Sequence, residues 1–278
     1  MGRHAKRRRA AACAAALLGG GFAPVSATAS PWGREDGEAF VAFRTDRLSN
    51  TGDFAPPFDG ADADRFTRVE SQVYGEYGVD GRHTVVGKVV YRSSGSLDSA
   101  PPGAEEDRGL AEFEVGLQRQ LKRGPRDAAA LYVSVGALNG FRPLGGGGAL
   151  DEGLDAEIRA LYGRDLIGAE PGARAGVFIA GEVAYRRRFG AAADQIRADA
   201  TLGAKLGTRW IGLVQALSTT SLRNEDPGGQ DFDVVRVQAS VGRRVTAHSS
   251  LHLGYSRDVL GRGVDAGDAV FVGIWTQF

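Results

Sequence analysis

The sequence predicts an all-β fold: a closed, antiparallel, up-and-down β-barrel of about twelve strands that crosses a membrane. Three observations lead there. Apolar and polar residues alternate with period two almost to the last residue, the alternating stretches are each about 10–12 residues long, and the connections between them alternate between long and short. A tilted strand crosses the hydrocarbon layer in about 9–11 residues. In that layer every backbone N–H and C=O has to be paired within the protein, so a spanning sheet must close on itself.

In chain order, strands are expected at residues 38–48, 66–79 and 83–92. The next, 110–121, sets Ala111, Phe113, Val115 and Leu117 against Glu112, Glu114, Gly116 and Gln118. Strands at 128–138, 154–164 and 176–187 follow. Residues 195–206 show the pattern most plainly: Ile196, Ala198, Ala200, Leu202, Ala204 and Leu206 share one face, and Gln195, Arg197, Asp199, Thr201, Gly203 and Lys205 the other. Helical spacing would mix these sets. After 210–222, the stretch 232–244 opposes Val235, Val237, Ala239 and Val241 to Arg236, Gln238, Ser240 and Gly242. Strands at 250–260 and 268–278 complete the set, the last with Val270, Val272, Ile274, Thr276 and Phe278 on one face.

The odd connections (TGDFAPPFDGADAD, SGSLDSAPPGAEED, GFRPLGGGGALDEG, FGAAAD, NEDPGGQD and GRGVDAG) are long or turn-rich. Most even ones (VDGR, KRGPRD, LGTR and VTAHS) are tight. A soluble sandwich has no reason for that alternation, whereas a membrane barrel with both chain ends on one side does. Charge divides in the same way. The long loops hold Asp53, Asp59, Asp62, Asp64, Asp98, Glu105, Glu106, Asp107, Asp151, Glu152, Glu225, Asp226 and Asp231. The tight turns hold Arg82, Lys122, Arg123, Arg126, Arg209, Arg243 and Arg244.

Composition supports export. The 278 residues carry 34 Lys+Arg and 34 Asp+Glu, and a zero balance gives no electrostatic case for nucleic acid. Residues 1–29 run from a basic stretch (Arg3, Lys6, Arg7, Arg8, Arg9) through an apolar one to Ala27-Thr28-Ala29, the three-part pattern of a cleaved secretory signal. Residues 30–278 then form the barrel domain, with 29 basic against 34 acidic residues and a net charge of −5. The single Cys13 leaves with the signal, so disulfides do not hold the mature chain.

In a barrel the apolar rows face lipid and the polar rows face inward. The inward, pore-lining set is then Arg44, Arg68, Glu70, Glu76, Lys88, Arg92, Glu112, Glu114, Glu157, Arg159, Glu182, Arg186, Arg197, Asp199, Lys205 and Arg236, together with Asp46, Gln72, Gln118, Gln238 and Arg244. Acids concentrate in the earlier strands and bases in the later ones, as two walls that would face each other. Either these charges form a network that fills the interior, or they line a narrow polar pore with a transverse field. The inward glycines expected at 87, 116, 136, 203, 254 and 273 weigh against a filled interior. Tyr77, Trp210 and Phe278 are expected at one membrane interface, and Tyr91 and Tyr185 at the other.

Catalytic and metal chemistry find little support. The mature chain has His83, His248 and His252 only; His248 and Ser250 have i, i+2 spacing but lie at a tight turn, with no Asn nearby to orient an imidazole. No cysteine and scattered histidines leave no metal site. Gly145–Gly148 lacks the Lys-Ser/Thr of a phosphate loop, and no cofactor motif is present.

The last strand, AVFVGIWTQF, ends on Phe278 and resembles the assembly signal of Gram-negative outer-membrane barrels. More narrowly, the final stretch with Gly261-Arg262 and Gly273-x-Trp275-x-x-Phe278 resembles transporter-like barrels grouped with the meta-pathway phenol-degradation outer-membrane family. The resemblance implies a cell outer-membrane location, passive porin-like transport of small solutes, contact with outer-membrane lipid and lipopolysaccharide, and recognition of the last strand by the barrel-assembly machinery. A non-conducting structural or surface-interaction barrel and a lipid-modifying enzyme remain the alternatives.

Overall fold

A computed structural model describes residues 30–52, 66–96, 107–138, 153–168, 175–264 and 266–278. The proposed signal segment, most of the acidic residues of the first three long loops and the Gly145–Gly148 run lie outside the described residues. Twelve strands follow in chain order: β1 (Ala39–Gly52), β2 (Phe66–Gly78), β3 (His83–Ser96), β4 (Asp107–Arg123), β5 (Asp127–Leu138), β6 (Leu154–Ile167), β7 (Ala175–Phe189), β8 (Gln195–Leu206), β9 (Trp210–Ser221), β10 (Asp233–Arg244), β11 (Ser249–Arg262) and β12 (Ala266–Gln277). Each pairs antiparallel with its chain neighbours, and β1 pairs with β12, so the sheet closes. The seam is continued at the chain end, where Ala39 and Phe278 exchange backbone hydrogen bonds of 3.3 and 2.9 Å.

All twelve expected strands are present, several running further than period two suggested. β1 reaches Gly52 and β3 reaches Ser96, because ladder hydrogen bonds continue past the segment that apolar side chains mark. The β11–β12 connection shrinks for the same reason: Gly261 and Arg262 belong to β11.

Burial alternates as a barrel requires. Val41, Phe43, Val73, Val89, Leu117, Ile158, Val183, Leu202, Val214, Leu253 and Val272 stand exposed on the outer surface, while their neighbours in sequence are buried or half-buried. An outward apolar band is stable in lipid and costly in water. Five irregularities shift the ladder. One of them corrects a face assignment. The pairing of β3 with β4 skips from Val90–Glu112 to Tyr91–Leu110, leaving Ala111 as the extra residue of a bulge, so Ala111 is buried and Leu110 takes the outward place.

The tight turns and both ends of the described chain lie at one mouth of the barrel. The preceding segment, residues 30–38, does not trail away from it. It enters the mouth and is held there by strands far along the sequence. Gln118 Nε2 donates to the Ser30 carbonyl (2.7 Å), Gln120 Nε2 to the Pro31 carbonyl (2.8 Å) and Arg123 Nη2 to the Trp32 carbonyl (2.6 Å). The Arg34 N–H donates to Thr84 Oγ1 (2.9 Å), and the Arg34 guanidinium pairs with Glu76.

Candidate functional site: the barrel lumen

The interior has two layers. Nearer the mouth that holds the chain ends, the inward side chains are apolar and aromatic: Phe40, Ala42, Tyr74, Val86, Ala130, Tyr132, Leu161, Phe178, Ile211, Leu213 and Trp275 are buried together, with Trp32 of the entering segment packed against them. Trp32 meets Phe178 edge-on at 6.0 Å, and Phe40 meets Tyr74 and Trp275 at 6.4 and 6.2 Å. The expectation of a polar interior throughout is therefore corrected for this half. These residues sit at inward positions near strand ends where the entering segment supplies an apolar partner instead of water.

The second layer, towards the long-loop mouth, is charged; of the inward charged set, Glu76 and Lys205 lie instead towards the tight-turn mouth. Arg44, Arg68, Glu70, Glu76, Lys88, Arg92, Glu112, Glu114, Glu157, Arg159, Glu182, Arg186, Arg197, Asp199, Lys205 and Arg236 all occupy the inward face of their strands. Three groupings organise most of them. On β3 to β8, Lys88 Nζ lies 2.7 Å from Glu112 and 3.7 Å from Glu114. Arg186 reaches Glu157 (2.9 Å), Glu114 (3.4 Å) and Asp155 (3.4 Å). Arg159 bonds Glu157 and lies 2.7 Å from Glu182, and Arg197 lies 3.4 Å from Glu157. Glu182 and Asp199 are register partners across β7 and β8.

The second grouping spans the seam, on β1 to β3, β10 and β11. Here Arg44 holds Asp46 (2.8 Å), Arg68 and Arg92 flank Glu70 (2.9 and 2.6 Å), and Arg236 grips Asp258 with two bonds of 2.6 and 3.0 Å. Arg44 also stacks over the Phe271 ring at 3.7 Å. The third joins Glu76, Arg34 and the Tyr74 hydroxyl (2.6 Å) beside the entering segment. Lys205 stands apart, towards the tight-turn mouth.

This geometry corrects the two-wall picture. Most of the lumen charges are compensated on the same or the adjacent strand, because side chains two residues apart or in register meet before they can reach across. The groupings differ in accessibility. Glu157 and Arg159 are almost wholly buried, whereas the charged side chains of the seam grouping, Asp258 apart, are between 18% and 33% exposed inside the ring.

The inward glycines do not open the lumen as expected. A Cβ on Gly203 would strike the Phe178 ring, on Gly254 the Phe271 ring, and on Gly116 the Tyr132 ring. Gly136 lies under the Asp155 carboxylate and Gly273 against the Phe43 carbonyl. Gly87 shares its face with the exposed Val85 and Val89, so it points outward.

Tyr77, Trp210, Phe278, Tyr91 and Tyr185 are all outward and exposed, the first three towards the tight-turn mouth and the last two towards the other. His248 lies in the β10–β11 turn, and it is His252 that bonds Ser250, with Nε2 at 2.9 Å from Oγ. The His252 ring is stacked on Trp275 at 3.5 Å, and its Nδ1 has no hydrogen-bond partner among the described residues, so no carboxylate orients it.

Sequence reasoning missed Asp155, Asp258, Arg34 and Trp32. Asp155 shares the i, i+2, i+4 row with Glu157 and Arg159, and Asp258 shares that of Ser256 and Gly254, so period two was sufficient for both. Trp32 and Arg34 precede the first strand and carry no periodic signal.

At the long-loop mouth, the β7–β8 and β9–β10 connections are joined through Asp194. Its N–H donates to Asn224 Oδ1 (2.8 Å), and its carboxylate accepts from Asn224 Nδ2 (3.0 Å), Arg187 (2.7 Å), the Tyr185 hydroxyl (2.9 Å) and the Arg188 N–H (2.9 Å). Burial pushes this carboxyl up, but the donors outweigh it and hold it at about 2. Arg262 likewise depresses Asp231, and at the opposite mouth His83 and the N–H groups of Arg82 and His83 hold Asp80 at about 2.

No protein-family model matches the chain, and no curated protein matches it by sequence. Solved structures do. An outer-membrane channel of the COG4313 group from Pseudomonas putida F1 is 13% identical over 93% of this chain and 100% of its own, with a TM-score of 0.63. The NanC porin is 7% identical over 85% and 98% (TM-score 0.51), and the translocator domain of the autotransporter NalP from Neisseria meningitidis is 12% identical over 86% and 88% (0.52). Closed register, outward apolar band, charged interior and these likenesses agree: the chain has the fold of the outer-membrane β-barrels.

Proposed function

We propose that this protein is a passive, porin-like conduit for small solutes across the outer membrane, narrowed at the mouth that holds its chain ends. The observation that carries the reading is the partly accessible charged grouping of Arg44, Asp46, Arg68, Glu70, Arg92 and Arg236 within a closed ring. Charged side chains left accessible inside a closed ring are what a polar pore presents to a solute. The sixteen inward charged residues would act as its lining, and selection by size and charge requires no energy source. Lipopolysaccharide around the long-loop mouth and recognition of β12 by the barrel-assembly machinery belong to the same reading.

A second reading, a non-conducting barrel, draws on the apolar layer and the entering segment. Planar-bilayer recording separates the two. Discrete conductance steps are expected from the folded protein, growing at least severalfold in a variant lacking residues 30–37, whose Trp32 and Arg34 hold the segment against Phe178 and Glu76. Silent membranes with both proteins, each shown to be folded, would establish the structural barrel instead.

A further inference from the structure

At the long-loop end of the outer surface, the fold gives two of the arginines an internal carboxylate. Arg187 has Asp194 at 2.7 Å, and Arg262 has Asp231 and Asp233 at 2.8 Å. Arg47 on β1 and Arg257 on β11 differ. Both are exposed, both point away from the lumen, and neither has a carboxylate within ion-pair distance among the described residues. The register partner of Arg257 is Asp268, whose carboxylate accepts from the Tyr255 hydroxyl at 3.2 Å and is the one acidic group beside the pair on this outward face, leaving Arg47, Arg257 and Asp268 with one net positive charge.

The two arginines flank a single strand. Arg47 pairs in register with Val270 of β12, and Val270 with Tyr255, two residues from Arg257 on the same outward row. Adjacent strands lie about 4.8 Å apart, so β1 and β11 are separated by roughly 10 Å, and one anion over β12 can be reached by both long side chains. Ser49, opposite Asp268, adds a hydroxyl to the same face. Two guanidinium groups against one carboxylate leave a net positive charge on a lipid-facing surface, which an outside anion stabilises, and a planar fork suits phosphate.

We propose that Arg47 and Arg257, with Tyr255 beside them, form a docking site for the phosphorylated headgroup of lipid A, the anionic lipid facing this end of an outer-membrane barrel. The site rests on the barrel's placement in that membrane and not on whether the lumen conducts.

Native mass spectrometry of the detergent-purified full chain tests it, with bisphosphorylated lipid A, the same lipid dephosphorylated, and phosphatidylglycerol supplied at equal concentration. The expected result is a lipid A adduct that falls at least tenfold in Arg47→Gln/Arg257→Gln, is largely kept in Arg47→Lys/Arg257→Lys, and is unaffected by Arg119→Gln, an exposed outward arginine nearer the other mouth. Heat-modifiable migration on a gel confirms that each variant is a closed barrel. Undiminished lipid A on the double glutamine variant, or equal occupancy by dephosphorylated lipid A or by phosphatidylglycerol, would overturn the proposal.

Discussion

On the inner wall, an aromatic ring repeatedly lies where a neighbouring glycine has no side chain: Phe178 on Gly203, Phe271 on Gly254, Tyr132 on Gly116 and Trp32 on Gly163. Gly203 and Gly254 are the register partners of their rings. Glycine in a strand sacrifices order and packing, and a ring laid over it restores the contact. Gly203→Val should therefore destabilise the barrel by about 1–3 kcal/mol through overpacking. Gly203→Ala combined with Phe178→Leu should lose less than the sum of the single changes. Urea unfolding of the four variants and the unsubstituted protein in detergent micelles measures both. These pairs also show how far sequence reading goes for single residues. Period two identifies which glycines face inward, Gly87 excepted, but not that a ring one strand away takes the room each leaves.

Among the elements, the strands were legible because their signal is local: a face is declared by residues two apart. The bulge at Ala111 was not, since an extra residue changes no composition and only its partner strand reveals it. The segment 30–38 was still less visible, because its anchors are remote; Ser30 and Gln118 stand 88 positions apart in the chain. The outer connections behave in the same way, with Asp194 and Asn224 meeting only after β7, β8 and β9 have formed. The depressed Asp194 carboxyl makes this contact pH-dependent. Its folded value lies below the ordinary 3.8, so its contribution is complete well above pH 3.8 and is lost as the pH falls through about 2. Amide hydrogen exchange in the 190–194 and 222–232 connections should accelerate across that acid range in the native protein. In Asp194→Asn it should be fast already at neutral pH, with the strands little changed in both.

For the molecule as a whole, apolar burial outside is delegated to lipid, and the interior is joined by ions. Glu157 is the hub, its carboxylate shared by Arg159, Arg186 and Arg197. Removing one partner from such a buried cluster leaves the others uncompensated, so Glu157→Gln should lower barrel stability by about 3–5 kcal/mol. The equivalent change at Glu70, 24% exposed, should cost far less. Unfolding titrations read the difference. The seam has a further property. Arg44 of β1 stacks on Phe271 of β12, and Phe271 in turn covers Gly254 of β11. First, last and penultimate strands are thus clasped by one pile of side chains on the inner wall, beyond their ladder bonds. The clasp can fasten only when the two extremities of the polypeptide have come together, and once fastened it resists peeling of the ring from its natural starting point.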